Sequence, residues 1–314
     1  MAGFDRPPPC SLKETNMIQF ARILASMMAF ASISGMATVA QAGNLPEICG
    51  DCRPQPVATC TGFLEGPTVA PDGALWVTDV IGGNVFKVEP SGQCTPKVKT
   101  GGHPNSAKFR SDGKLLIADW QGLLLFDPAT GSISNLPLDY KGEKIGDLND
   151  LVIDPAGGVY FTTPGKSSLA NSTGRVFYRS PTGEVRLIGQ NLAYPNGIAL
   201  SADGEAVLVS EFAAKRIISY PSVTAKSPFA TTYVFALTSG GVGVDGMTVD
   251  EKGNLFGANL AAGEVLVYDR KAKLLGEIAL PDDAGLLITN IALAKDRLYI
   301  IDAQKSQIWQ VPRK

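Results

Sequence analysis

The chain has 314 residues, 45% of them hydrophobic and 18% charged, which is enough apolar content to bury a full core. Its formal net charge at pH 7 is -2. That balance excludes a basic face for nucleic acid, and no run of like charge suggests a disordered interaction arm.

The amino terminus reads as a leader, not as part of a fold. Residues 1–16 (MAGFDRPPPCSLKETN) are polar and proline-rich and fit no signal n-region, so either Met1 or Met17 can serve as the start. From Met17, Arg22 precedes an apolar stretch rich in Ala, Met and Ile that ends at Ala40-Gln41-Ala42. This is the pattern of a secretory signal peptide cut after Ala42. Ser26, Ser32, Ser34, Gly35 and Thr38 interrupt the stretch, which argues against a retained membrane anchor. Residues 1–42 are therefore assigned to leader and signal peptide. The expected location is periplasmic or secreted, with no stable membrane span after cleavage.

Residues 43–54 form a lead-in that carries Cys49 and Cys52, with Cys60 and Cys94 following. An even number of cysteines in an oxidising compartment reads as structural disulfides, and all three pairings remain open. Cys49-Gly-Asp-Cys52 has redox spacing but lacks the surrounding βαβ pattern. Zinc would need more ligands than His103, the single histidine of the chain, can add.

Residues 55–314 read as strands and turns with no helix of useful length. An oxygen-bearing polar residue recurs at the start of six successive repeats: Glu65, Asn105, Asn149, Asn196, Asp245 and Asn290, at spacings of 40, 44, 47, 49 and 45 residues. Each is followed by an apolar strand, a Gly or Asp turn, and a second strand: LWVTD, LLIAD, VYFTT, VLVSE, LFGAN and LYIID. Third strands follow, such as NVFKVE and RIISYP, and then outer strands such as TPKVKT. Repeats of this length built from strands are propeller blades, so the fold class is all-β, a six-bladed β-propeller. The sixth repeat runs out after QIWQVP, with no outer strand, and an unfinished blade leaves a bare sheet edge. The segment QPVATC (55–60) can supply the missing strand, so an N-terminal strand is expected to complete the last blade. Residues 164–174, rich in Gly, Ser and Asn, read as a loop over one end of the channel. Asp79, Asp119, Glu211 and Asp302 end second strands, where turn-stabilising roles are expected.

Blades are arranged radially, so residues at one phase of the innermost strands converge on the axis. Two carboxylates and four amides there describe a site for a hard cation, most simply Ca²⁺, which takes six to eight oxygen ligands. Asn and Asp also favour strand starts as turn residues, but that alone does not account for six at one phase. Glu65, Asn149, Asn196 and Asp245 are the expected metal ligands. Asn149, Asn105, His103 and Asn290 are the expected substrate contacts. A chain with one histidine and no G-x-S-x-G has no serine triad, and neither a P-loop nor a dinucleotide fingerprint appears.

The motifs Glu65-Gly66-Pro67, Leu148-Asn149-Asp150, Pro195-Asn196-Gly197 with Ser201-Ala202-Asp203-Gly204, and Asp245-Gly246-Met247 resemble the blade motifs of the regucalcin/gluconolactonase family. That family comprises six-bladed propeller enzymes, including lactonases and relatives of diisopropylfluorophosphatase. The resemblance spans about residues 60–312, with the motifs in the family's order. It implies that Glu65, Asn196 and Asp245 match metal ligands and that Asn149 touches metal or substrate. Sugar-lactone members resemble one another in an Arg two residues before that Asn; here the position is Asp147, which speaks against a sugar lactone.

The reading that follows is a metal-dependent hydrolase of a lactone or related ester. The cation would polarise the carbonyl, and Asp245 would act as base or nucleophile. Two rivals are a non-catalytic ligand-binding propeller and a phosphotriesterase-like or strictosidine-synthase-like enzyme.

Overall fold

A computed structural model describes residues 45–314. The leader and signal peptide assigned to residues 1–42 lie outside the described residues. Within them the alternating strands form six four-stranded antiparallel sheets, the blades of a propeller. Blade 1 runs outward through Leu64–Val69, Leu75–Asp79, Asn84–Val88 and Cys94–Lys99. The innermost strands of blades 2 to 6 are Pro104–Phe109, Leu151–Ile153, Pro195–Leu200, Gly243–Val249 and Ile288–Leu293. The described helices are one turn at Pro46–Cys49 and a 3₁₀ turn at Phe212–Ala214. A two-stranded hairpin, Asp139–Tyr140 with Glu143–Lys144, lies between blades 2 and 3 and was not expected from the sequence.

The period-2 pattern has a direct structural use. Successive side chains of a strand point to opposite faces of its sheet. Leu115 and Ile117 pack with Trp76 and Val85 of blade 1, whereas Leu116 and Ala118 pack with Val159 and Phe161 of blade 3. Each gap between neighbouring blades is filled in this way, including the gap between blades 6 and 1, where Ile301 and Ile308 meet Val77 and Phe86. Second strands lie between two such layers, and LWVTD, LLIAD and VYFTT are buried along their whole length.

Polar clasps add direction to this packing. Thr78 Oγ1 donates to the Asn105 carbonyl of the next blade at 3.2 Å, and Thr162 Oγ1 donates to the Asn196 carbonyl at 2.6 Å. The Ser210 hydroxyl likewise donates to the Val244 carbonyl. Acidic residues ending second strands fasten the entry loops. Asp79 Oδ1 accepts the Phe63 and Gly82 N–H groups, Asp119 Oδ1 those of His103 and Gln121, and Asp302 those of Gly285 and Lys305. Glu211 accepts the Ala193 N–H and pairs with Arg216. These are structural roles, as expected at those positions.

Blade 6 takes its outer strand from the other end of the described chain. Gln55–Thr59 pairs antiparallel with Gln307–Pro312, Gln55 opposite Gln310 and Thr59 opposite Gln307. The cysteines pair as Cys49–Cys52 and Cys60–Cys94. The second bond joins the end of that outer strand to the outer strand of blade 1, so it fastens the closing blade to its neighbour. Leu45 and Cys49 pack into the layer between blades 5 and 6, and the Lys314 N–H donates to the Ile48 carbonyl at 2.9 Å.

Cys60 and Cys94 are 34 residues apart in sequence, whereas Cys49 and Cys52 are 3 apart. On chain entropy the longer loop contributes about 4 kcal/mol and the shorter about 2 kcal/mol. Replacing Cys60 and Cys94 together by Ser is expected to lower unfolding free energy in urea about twice as much as replacing Cys49 and Cys52. Equal losses would show that Cys60–Cys94 does not brace the closure.

Candidate functional site

The six marker residues owe their inward aim to irregular backbone. Pairing between the innermost and second strands shifts register at Glu65, Asn105, Asn196 and Asp245, and just before Asn290. A bulge of this kind inserts an unpaired residue and redirects its side chain. In blade 3 the same result is reached by starting the ladder later. Asn149 and Asp150 precede Leu151–Ile153 and pair with Thr162 through two backbone bonds and through the Asp150 N–H, which donates to Thr162 Oγ1 at 3.1 Å. All six side chains are buried, with between 3% and 8% of their surface exposed.

The glycines that follow the markers reflect crowding at the axis. A Cβ on Gly197 would lie 2.1 Å from the Asp245 carbonyl oxygen, and one on Gly246 would lie 2.1 Å from Asn290 Cγ. Only glycine lets neighbouring innermost strands approach this closely.

Glu65 is held firmly. Its Oε2 accepts the Asn290 amide N–H and the Gly66 backbone N–H, each at 3.0 Å. The other end of the Asn290 amide accepts the Ile291 N–H at 2.8 Å. Asn290 is thus engaged at both ends and orients Glu65. By contrast, the Asn149 and Asn105 amides carry no hydrogen bond to another described residue.

Two charged residues at the axis were not singled out in the sequence. Asp150 is buried, and its carboxylate accepts the Leu151 N–H at 2.8 Å and, across the blade gap, the Ile198 N–H at 3.1 Å. Lys108, on the innermost strand of blade 2, donates to the Pro67 carbonyl at 3.3 Å and lies close enough to Asp150 and Glu65 to favour both carboxylates. The sequence signal for Asp150 was the absence of the marker-Gly pattern: where Glu65, Asn196 and Asp245 are followed by Gly, Asn149 is followed by an acid.

Burial governs the electrostatics. Desolvation pushes Glu65 up to about 8, against the pull of its bonds to Asn290 and Gly66. Asp245 is raised well above the usual carboxylate range by desolvation and then by the charges of Glu65 and Asp150, with the Asn196 amide opposing. Asp150 is raised by burial and Lys108 lowered by it, each partly restored by the other. Tyr194, two residues before Asn196, is pushed up to about 12 by burial and by the fields of Asp245, Glu65 and Asp147. Its backbone has φ 59°, a strained setting for a tyrosine, and its N–H donates to Ser167 Oγ of the 164–174 loop at 2.9 Å.

The arrangement suits a hard cation. Glu65, Asn149, Asn196 and Asp245 offer only oxygen, and the buried carboxylates outnumber the single nearby ammonium of Lys108. Among the described residues no three His, Cys, Asp or Glu side chains gather as a ready ligand cluster. A cation here would therefore rest on Glu65 and Asp245, with amide oxygens completing the shell.

His103 immediately precedes the innermost strand of blade 2. Its Nδ1 lies 2.9 Å from the Val80 carbonyl, which only accepts, so Nδ1 carries the proton; its ring packs on Trp120 at 4.4 Å. A cavity of about 420 Å³ is lined by Asp147, Thr163, Pro164, Thr173, Arg175 and Asn191, among others. In an antiparallel blade, the start of the innermost strand and the turn joining the second and third strands lie at one end. The cavity is therefore at the markers' end of the channel, under the 164–174 loop. A larger cavity of about 560 Å³ lies between blades 4 and 5, bordered by Ser201, Phe229, Tyr233 and Arg270; none of the marker residues lines either cavity.

The pattern of the SMP-30/gluconolactonase/LRE-like region matches residues 63–304. The chain belongs to that family. Lactonase drp35 of Staphylococcus aureus (strain MRSA252) is 32% identical over 239 residues, covering 72% of each chain. Lactonase drp35 of Staphylococcus epidermidis (strain RP62A) is 34% identical over 246 residues, covering 72% of this chain and 73% of the relative. A gluconolactonase from Xanthomonas campestris superposes with a TM-score of 0.75 at 22% identity, covering 87% of this chain and 93% of that one. A calcium-binding regucalcin from Agrobacterium tumefaciens gives a TM-score of 0.69 at 22% identity, covering 85% and 94%. At such identities the two structures speak for the fold alone. The SMP-30/gluconolactonase/LRE-like match covers all six marker residues.

Because a Cβ at Gly246 collides with Asn290, Gly246→Ala is expected to displace the amide that orients Glu65. Overpacking of this kind costs about 1–3 kcal/mol. Urea denaturation of Gly246→Ala against the wild type should show that loss; unchanged stability would mean that the axis tolerates the extra carbon.

Proposed function

We infer that the protein is a lactonase-type hydrolase whose reaction takes place at the axial carboxylates, with a divalent cation, most simply Ca²⁺, as cofactor and a small lactone or related ester as substrate. The observation that carries this reading is the buried pair of Glu65 and Asp245, which come from different blades and lie close enough that the charge of Glu65 raises the proton affinity of Asp245. The lactonase relatives support the reaction class.

Glu65, Asn149, Asn196 and Asp245 would hold the cation. When bound, it would supply Lewis-acid polarisation of the ester carbonyl. Asn290 and the Gly66 N–H keep Glu65 Oε2 occupied, which leaves Oε1 for the ligand. Asp245 takes a proton from the attacking water. The water oxygen bonds to the acyl carbon, the ring C–O bond breaks, and Asp245 returns the proton to the departing alkoxide, giving a hydroxy acid. Burial raises the proton affinity of Asp245, and a bound cation would lower it again, making Asp245 a weaker base but keeping it ionised. Tyr194, kept protonated by its surroundings, walls the site as a neutral group. Asn105, Asn149 and His103 stand at the same end as contacts for substrate.

Export belongs to the same reading. The apolar leader ending at Ala42 and the two disulfides fit a periplasmic or secreted enzyme. No helix among the described residues is long and apolar enough to cross a membrane.

Asp245→Asn keeps the side-chain shape while removing the base, so kcat on a hydrolysable lactone is expected to fall about 100-fold or more, without rescue by excess Ca²⁺. Asn105→Ala should cost far less. Undiminished turnover by Asp245→Asn at saturating Ca²⁺ would remove Asp245 from the chemistry. Treatment with a chelator should abolish wild-type turnover, with recovery on adding Ca²⁺ back; activity that survives metal removal would overturn the cation's role.

A further inference from the structure

The 420 Å³ cavity at the markers' end of the channel has an uneven charge balance. Two ionisable groups line it, Asp147 and Arg175. Arg175 is already committed: its guanidinium donates to the Glu143 carboxylate at 3.2 and 3.5 Å and lies over the Phe177 ring at 5.1 Å. The Asp147 carboxylate has neither an ion pair nor a hydrogen bond to another described residue.

Its position is nevertheless fixed. The Asp147 N–H donates to the Trp120 carbonyl at 2.7 Å, and its backbone sits at φ 53°, a setting that few residues other than glycine, Asn and Asp occupy without strain. The fold thus places an exposed carboxylate at the cavity's edge with no partner among the described residues. The 164–174 loop that borders the cavity is tied to the innermost strand of blade 4, where Ser167 Oγ accepts the Tyr194 N–H at 2.9 Å two residues before Asn196.

A divalent cation held by Glu65 and Asp245 would offset their charge. Asp150 has Lys108 beside it, and Arg175 has Glu143. Of the two ionisable groups that line the cavity, Asp147 is the one without a partner among the described residues. On the lactonase reading above, we propose that this cavity receives the substituent of the ester and that Asp147 selects substrates carrying a protonated amine over those carrying a carboxylate or phosphate. The amine would pair with the free carboxylate, and an anionic substituent would meet like charge in a partly enclosed space.

Binding of lactams that share one ring and carry an ammonium, a hydroxyl or a carboxylate substituent tests this without turnover. Calorimetry on the full mature chain with Ca²⁺ present should show the ammonium compound binding at least about 10-fold more tightly than the carboxylate, with the hydroxyl between them. The gap should collapse in Asp147→Asn, which suits the same backbone conformation, and should narrow in about 0.5 M salt. Charge reversal by Asp147→Lys should invert the order. Equal binding of all three compounds, or a gap that survives Asp147→Asn, overturns the assignment. The corresponding lactones, assayed in parallel, separate the two readings. An ammonium preference in binding with no lactone hydrolysed keeps the selectivity and sinks the lactonase; hydrolysis without charge preference does the reverse.

Discussion

Everything at the centre of this propeller depends on placing charge where water is scarce. Six innermost strands converge on one axis, and their side chains there are almost wholly buried. A carboxylate in that setting resists ionisation unless hydrogen bonds or a counter-charge compensate. The chain uses both devices unequally. Asp150 receives two backbone N–H bonds and the neighbouring Lys108. Glu65 receives two hydrogen bonds to a single oxygen. Asp245 has the Asn196 amide beside it and is the least compensated of the three. Such a gradient suits a site that holds one group rigid and leaves another ready to accept a proton.

Much of this was legible in the sequence because a propeller repeats itself. The six markers, the six apolar second strands and the missing sixth outer strand each depend on periodicity, and the structure has the same blades in the same order. Side chains that break the period were harder to see. Lys108 falls within a strand where an alternating polar residue reads as surface. Asp150 stands where blades 1, 4 and 5 have glycine, and only the geometry shows it reaching across the gap to Ile198. Tyr194 carries no motif at all; its importance comes from a backbone angle. The bulges at the markers are likewise invisible to a pattern search, since a bulge alters pairing without altering the polar/apolar alternation that betrays a strand. Disulfide pairing stayed open for a related reason: it depends on which outer strands lie side by side, and sequence spacing does not say that.

The glycines after the markers link these two levels. They read first as turn residues of a familiar motif, but the structure gives them a steric role. Gly197 makes room for the Asp245 backbone and Gly246 for the Asn290 amide, so the markers of blades 5 and 6 each depend on a missing side chain in the blade before. The site is therefore a property of the closed ring, not of any one blade.

That interdependence gives the seam in blade 6 a wider meaning. The strand before the first blade and the last strand of the chain lie hydrogen-bonded side by side, with the Lys314 N–H resting on Ile48. Ends that meet in this way make the order of the blades along the chain arbitrary. A circular permutant, joined across blade 6 and opened in the exposed turn 128–131 of blade 2, would have the same neighbours around the axis and a different first residue. Glu65, Asn149, Asn196 and Asp245 come from blades 1, 3, 4 and 5, so such a cut leaves each of their hairpins whole. What the site needs is the circle, and which strand of the propeller comes first is a detail of how the circle is made.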